Sequence, residues 1–377
     1  MKIDLIGGGI GGLTTAIALQ QKGFSIRIFE QAKELKPVGA GIILANNAMQ
    51  VYKHLGLHRQ MEHAGNPVSA MYITSAQLKR ISGMDFSPFE QQFGVKTVAI
   101  HRGKLQQVLL DALDPQKTEI LLDKKLTRIE QNDQLRLHFA DGTSTLSEAA
   151  LGCDGIHSAT RQSLFKGTTL RHTNQLCWRG VLDFTLPKEA QAIPTESWGT
   201  GCRVGIVPIA KGKVYWFAVK TQRKGETLTV HDIPTYFQAF HPLIRQILEA
   251  TPTSAIHTDK LSDLDHLLTW RKGKVCLMGD AAHATTPNMG QGACQAIEDA
   301  YILAECLAKY PLQQAYATFE SLRKPKAQII VNSSWTIGQM AHTENRLLYF
   351  LIKGIMRRTP TWVARRRLEK IFTLPSL

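Results

Sequence analysis

The sequence predicts an α/β fold in which a Rossmann-like domain carries an inserted antiparallel β-sheet domain and ends in helices. Three observations predict it. Residues 2–30 run through an apolar stretch, a glycine cluster, a helical pattern and a second apolar stretch. Residues 172–260 then change to alternating and apolar runs broken by Gly and Pro, the pattern of antiparallel strands. From 275 the chain returns to a short buried-type strand, and helical periodicity continues to the C-terminus.

The first element carries the first motif, Gly7-x-Gly9-x-x-Gly12. The three glycines act separately. Gly7 makes the tight turn, Gly9 admits a pyrophosphate to the backbone, and Gly12 packs helix on sheet. Free N–H groups at the helix start then face the phosphates. Glu30, eighteen residues after Gly12, ends the second strand where it can accept bonds from ribose hydroxyls. Strand, helix, strand and acid in this order predict an adenine dinucleotide site. Asp4 is out of pattern, a charge in a strand that a parallel sheet buries on both faces.

Residues 33–60 read as a loop containing Pro37-Val38-Gly39-Ala40-Gly41 and then a helix at 45–55, with Gly39 and Gly41 permitting close approach to something flat. Residues 71–96 read as strand. A helix follows His101-Arg102 at 103–113, with strands at 119–122 and 135–139 and a hairpin signal at Asp141-Gly142. The expected division is a discontinuous cofactor domain of 1–70, 97–171 and 261–330, a substrate domain of 71–96 and 172–260, and a C-terminal helical segment of 331–377.

The net charge of +14 raises the question of nucleic acid, but residues 346–377 alone hold eight basic residues and one acid. The rest is a mildly basic globule suited to anionic small molecules, and no nucleic-acid partner is expected. Six scattered cysteines without C-x-x-C pairs suggest reduced thiols, and no metal site is expected. Asp4 and five glycines interrupt the early apolar run, and no apolar stretch is long enough to span a bilayer, so a cytoplasmic protein is expected.

Two further motifs follow. In L-G-C-D-G-I-H-S-A-T-R, at 151–161, a strand ends at Asp154-Gly155 and Ser158 is placed to cap a helix. In V-C-L-M-G-D-A-A-H-A-T-T-P-N-M-G-Q-G-A-C, at 275–294, a strand delivers Gly279-Asp280. A loop with Pro287 then leads to Gly290-Gln291-Gly292 at a helix start. There Asp280 can bind a ribityl hydroxyl, and the N–H groups after Gly290 can hold negative charge on a reduced flavin.

The three motifs in this order resemble the single-component FAD-dependent aromatic hydroxylases, the group A flavoprotein monooxygenases of para-hydroxybenzoate hydroxylase-like fold. The nearer branch is that of urate hydroxylase, salicylate hydroxylase and zeaxanthin epoxidase. It shares K-E-L-K-P-V-G-A-G-I at 33–42, Arg102 in H-R-G-K-L-Q, W-R-G at 178–180 and Y-A-T-F-E-S-L-R at 316–323. The resemblance implies FAD held by Gly7, Gly9, Gly12, Glu30, Gly41, Arg102, Leu126, Asp154, Asp280, Pro287, Gly290 and Gly292. Glu30 would bind the adenosine ribose, Leu126 would offer backbone to adenine, and Arg102 would lie near ribityl and pyrophosphate. It also implies NADPH or NADH as a transient reductant and a flavin C4a-hydroperoxide that puts one atom of O2 into a small aromatic, heteroaromatic or alkene substrate. Arg203, Tyr215 and Asn288 would form the catalytic pocket, with the substrate ring between the first two and the flavin loop. Where the urate hydroxylases have an acid, Asn288 removes a charge, which argues against urate. The alternatives are a flavin-dependent reductase or halogenase on the same fold, or a non-catalytic FAD-binding regulatory protein. The halogenase W-x-W-x-I-P segment is absent.

Several residues admit plainer readings. His283 invites a general-base role, but a neutral histidine packed beside the flavin is favoured. Gly199, Gly201 and Gly205 fit a hairpin turn, not a second nucleotide motif. Arg203 is either a solvated charge or an anion contact through its planar fork. Tyr215 and Trp216 should face opposite sides of a strand. The apolar run 347–352 with its basic followers could dip into an anionic membrane surface, although a helix packed across two domains with solvated charges is favoured.

Overall fold

The computed structural model describes residues 1–36 and 40–377, so Pro37, Val38 and the close approach expected at Gly39 lie outside the described residues. The strands described form four sheets. The largest parallel array joins Ala149–Gly152, Lys2–Ile6, Ser25–Phe29 and Thr118–Leu121, with Val275–Leu277 parallel to the first and the two-residue strand Arg271–Lys272 antiparallel at the edge. Asp4 is accommodated because its β-partner is Arg27, whose Nε and Nη2 donate to the two carboxylate oxygens at 2.8 and 2.7 Å. A buried charge is tolerable when a fork-shaped partner satisfies it on the adjacent strand.

The first helix, Ile10–Gln21, is buried along nearly its whole length. Its outer side is covered by helix Gly292–Lys309, and the two approach closely because Gly11 faces Ala296; a Cβ on Gly11 would lie 3.2 Å from the Ala296 Cβ. The first and third motifs therefore share one packed helix pair.

The seven-stranded sheet runs in the order 257–264, 170–183, 213–221, 202–210, 195–198, 70–75 and 80–85. It is antiparallel except where Thr195–Trp198 runs parallel to Ala70–Ser75. Strands from 70–85 do join strands from beyond 170, but the boundary expected between 260 and 261 falls inside His257–Leu264. That strand pairs with Leu170–Asp183 in this sheet. One face, with Trp178, Val204, Ile206 and Trp216, packs on Ile233, Phe237, Ile244 and Ile247. Those last residues lie on or beside helices Ile233–Tyr236 and Pro242–Glu249, not on the strands expected there. Pro242 at the first helical position and the spacing of Ile244, Ile247 and Leu248 account for the second helix.

Other departures are local. The segment expected as strand at 71–96 contains helix Ser87–Phe93, where Phe89 meets Phe372 edge-on at 5.0 Å. The helix expected at 45–55 is present as Asn46–His54, but the loop expected around it holds strand Gly41–Leu44 and the start of helix His58–Ala64. The 30-residue helix Leu312–Ala341 runs through the boundary expected at 331. The last two helices, Arg346–Arg358 and Thr361–Phe372, contradict the packed-helix expectation in part. In the first only Ile352 is fully buried, and Leu347, Phe350, Leu351 and Ile355 face solvent.

Candidate functional site: a flavin cradle facing the seven-stranded sheet

Gly7 has φ +106°, and a Cβ there would lie 2.7 Å from the Cys153 carbonyl oxygen, so the turns of the first and second motifs are in contact. A Cβ on Gly12 would lie 2.1 Å from the Gly7 oxygen, which excludes any side chain. Gly9, the N-cap of Ile10–Gln21, has no neighbour within 4 Å of its missing Cβ, and the helix start has no side-chain cap. The open helix end is what a pyrophosphate requires. Glu30 accepts the N–H of Gly8 at 2.7 Å and that of Ala32 at 2.9 Å, so its carboxylate also fixes the turn. Leu126 is buried at the start of strand Leu126–Gln131, and Lys124 N–H donates to the Glu30 carbonyl at 2.8 Å, which brings this backbone beside the acid.

Asp154 is fully engaged within the protein. It accepts from Ser158 Oγ at 2.6 Å and from Thr160 N and Oγ1 at 2.9 and 3.0 Å. Ser158 caps helix Ala159–Leu164 as expected, accepting Arg161 N–H at 2.9 Å. Arg161 was not singled out by sequence beyond its place in the motif. Its buried guanidinium donates to Ile156 O at 2.5 Å and Ala281 O at 3.0 Å, stapling the second motif to the third.

In the third motif Gly279 has φ +55° and Asp280 opens the short helix Asp280–His283. Asp280 is open to solvent at one side, and the surrounding protein pushes its carboxyl pKa up, opposed by His283 and by Arg102 at the start of helix Arg102–Asp111. Arg102, on a separate element, lies near enough for its charge to favour the ionised Asp280. Pro287 begins a 3-10 turn, Pro287–Met289, that ends at Gly290 with φ +62° and open space where its Cβ would be. Helix Gly292–Lys309 follows, again without a side-chain cap.

A buried polar network that the sequence reading missed braces this helix start. Gln291 Oε1 accepts from Asn47 at 3.2 Å and Gln295 at 3.0 Å. Arg323 donates to Asp299 and Gln295 Oε1, both at 2.7 Å, and to Glu298, which also receives Lys326 at 2.7 Å. Asp299 further accepts Gly279 N–H at 2.8 Å and His283 Nε2 at 2.6 Å. Burial opposes ionisation of Asp299, but His283, Arg323 and the Gly279 N–H outweigh it and hold its pKa at about 2. His283 is therefore an anchor in this network, its ring 4.9 Å from that of Trp270.

On the seven-stranded sheet, register places Arg203, Tyr215, Glu196 and Arg179 on one face, opposite the face that packs on the helices. Trp216 points the other way, donating to Thr251 Oγ1 at 2.8 Å. The solvated reading of Arg203 is wrong, since it is buried and donates to Glu196 at 2.9 Å. Arg203 also donates directly to Asn288, so no ring separates these two side chains. Tyr215 is buried against Gly41, where a Cβ would fall 2.5 Å from Tyr215 Cβ. The flat neighbour of Gly41 is thus Tyr215. Burial pushes the Tyr215 phenol pKa up, with Arg179 opposing. Gly199 and Gly201 lie in the turn between Thr195–Trp198 and Cys202–Ala210, as expected of a hairpin, whereas Gly205 lies within the second strand, opposite Glu196 and Phe217.

The glycine cradle, two uncapped helix starts and Asp280 within reach of the Arg102 charge fit FAD, a long dianionic dinucleotide. Comparison with known proteins agrees. The FAD binding domain family matches residues 1–334. The chain is 36% identical over 364 residues to the aurachin C monooxygenase/isomerase of Stigmatella aurantiaca, covering 95% of this chain and 94% of that one. It is 30% identical over 385 residues to the 2-heptyl-3-hydroxy-4(1H)-quinolone synthase of Pseudomonas aeruginosa, covering 99% and 98%. Among solved structures, HpxO of Klebsiella pneumoniae complexed with FAD and uric acid matches with a TM-score of 0.90 at 25% identity, over 100% of this chain and 97% of that one. The chain belongs to the FAD binding domain family and is an FAD-dependent monooxygenase of the group A flavoprotein type.

Proposed function

We propose that this enzyme consumes NADH or NADPH and O2 to place one oxygen atom on a neutral heteroaromatic ring. The observation that carries the substrate class is charge pairing on the face of the sheet that meets the flavin loop. Arg203 is paired with Glu196 and Arg179 with Asp259, and Asn288 adds no charge. Among the described residues an anionic substrate would find no unpaired guanidinium on that face, and displacing Glu196 from buried Arg203 would leave a buried carboxylate alone. A relative matched over 98% of its length supports the same direction, since it is named for a 4(1H)-quinolone product. The urate hydroxylase of Klebsiella pneumoniae covers 80% of this chain.

In this reading the N–H groups at Gly9–Gly12 would hold the pyrophosphate, Glu30 the adenosine ribose, and Arg102 and Asp280 the ribityl side. When bound and reduced, FAD supplies O2 activation and oxygen transfer. The N–H groups after Gly290 would hold negative charge on the ring, and the Gln291 and Arg323 network braces the helix start that carries them. Tyr215 and the Arg203–Asn288 contact would form the wall where the sheet meets the flavin loop, shaping the substrate side and excluding water. The test is NAD(P)H oxidation by the FAD-loaded protein with 2-alkyl-4(1H)-quinolones, urate and salicylate, each product weighed for one added oxygen. Quinolone-stimulated turnover with oxygen incorporation is expected. Turnover on urate or salicylate with none on quinolones overturns the neutral-ring assignment.

A further inference from the structure

We infer that the C-terminal helices dock this protein in the plane of an anionic lipid surface. Helix Arg346–Arg358 has three distinct sides. Its inward side, Tyr349, Ile352 and Met356, packs with Trp198, Ala341 and Ile73, and Tyr349 Oη donates to Trp198 O at 2.7 Å. Its outward side carries Leu347, Phe350, Leu351 and Ile355, exposed by 78, 75, 64 and 67%. That spacing aligns the four on a single arc of an α-helix. Arg346, Lys353 and Arg357 line one border between the two sides. The Lys353 ammonium lies 4.7 Å from the Tyr349 ring centroid and 5.8 Å from that of Phe350. Helix Thr361–Phe372 is anchored by buried Ile371 and Phe372 and presents Trp362, 61% exposed, beside exposed Arg365, Arg366 and Lys370.

Single exposed apolar side chains are ordinary; four on one arc call for an occupant. Charge decides which. Residues 346–377 hold eight basic residues and one acid. A second copy related by a two-fold axis would set one cationic patch against another. An anionic lipid surface satisfies both features, taking the apolar arc into the acyl boundary while headgroups meet the basic border, and exposed Trp362 is of the residue type such interfaces favour. The helix is about 20 Å long, and among the described residues no helix is long and apolar enough to cross a membrane, so it lies on the surface. Through Tyr349 and Trp198, whose Nε1 donates to Glu196 at 2.7 Å, the docking face is two side chains from the Glu196–Arg203 pair.

The test is flotation of the full-length FAD-loaded protein with vesicles of phosphatidylcholine alone or mixed with phosphatidylglycerol. Binding to the mixed vesicles is expected at least about tenfold above the neutral ones, weakening as salt is raised. A blue shift of tryptophan fluorescence should accompany it and be lost in Trp362→Phe. Phe350→Glu with Leu351→Glu should abolish flotation without moving the unfolding temperature, because both side chains already face water. No binding, equal binding to both vesicle types, or binding indifferent to that double substitution overturns the proposal. A solution dimer that the double substitution splits also overturns it, since the arc then belongs to a second copy.

Discussion

Arg203 and Asn288 are hydrogen-bonded across the gap between the seven-stranded sheet and the loop that leads into helix Gly292–Lys309. The contact is set from both sides. Glu196 holds the guanidinium at 2.9 Å, while Asn288 Nδ2 donates to Thr286 Oγ1 at 2.9 Å and Ser334 O at 2.7 Å. Gly338 makes room, since a Cβ there would lie 2.3 Å from Asn288 Nδ2. The substrate-side sheet and the cofactor-side loop are therefore joined through one buried ion pair and one amide.

Arg203→Ala should destabilise the fold as well as the chemistry. It strands the buried Glu196 carboxylate, a loss of about 3–5 kcal/mol, visible in thermal or denaturant unfolding. The surviving enzyme should consume NAD(P)H with a larger share of oxygen leaving as peroxide. Removing both charges, with Glu196→Gln added, should recover part of the stability but not the coupling. Unchanged stability and coupling in Arg203→Ala would refute the role given to this pair.

Asn288→Asp looks favourable for Arg203, yet it should destabilise. The new carboxylate oxygen replaces an N–H donor that serves Thr286 and the Ser334 carbonyl. Leaving that carbonyl facing a carboxylate should cost about 1–3 kcal/mol, measured by denaturant unfolding. FAD content should stay near that of the unaltered protein. A more stable variant would mean that the ion pair with Arg203 outweighs the lost amide.

The two aspartates of the later motifs should separate in their effects. Asp280 is open to solvent and Asp154 has three intraprotein hydrogen bonds. Asp280→Ala should weaken FAD binding by roughly ten- to a hundredfold, equivalent to about 1.5–3 kcal/mol for a charge-assisted bond, and leave the apoprotein's unfolding unchanged. Asp154→Ala should lower apoprotein stability as well. Isothermal titration with FAD and thermal scans of the apoproteins distinguish the two; equal behaviour would contradict the division of labour.

The cofactor half was legible because its determinants are local. A tight turn, an uncapped helix start and an acid at a strand end are each set by a few consecutive residues, as at Gly7–Gly12 and Glu30. The alternation of Tyr215 and Trp216 was legible for the same reason. What failed depends on partners far along the chain. Arg203 read equally well as a surface charge because nothing near it announces Asn288, 85 residues later. The Asp299–Arg323 contact spans 24 residues and joins two helices whose periodicity shows only that each has a buried side. Helix Ser87–Phe93 was lost between strands because seven residues give too little period to read.

His342 gives a pH dependence that can be isolated. It is buried, its Nδ1 lying 3.3 Å from both Gly201 O and Thr221 Oγ1, while Nε2 has no partner among the described residues. Burial, and secondarily the Arg203 charge, depress its pKa from 6.5 to about 3. The folded state thus keeps the ring neutral where the unfolded chain protonates it. Because the unfolded state binds the extra proton, stability from this residue is present above pH 6.5 and declines as pH falls toward 3, by up to about 1.4 kcal/mol per pH unit. Asp299, lowered from 3.8 to about 2, loses its contribution only as pH falls below the ordinary carboxylate value, so the two windows overlap only at the acid end of the His342 range. Denaturant unfolding of the protein and of His342→Gln between pH 7 and 4.5 should show a shallower slope in the variant by that amount. Parallel slopes would mean that the ring is protonated in the folded protein, in conflict with a site built around the buried cation of Arg203.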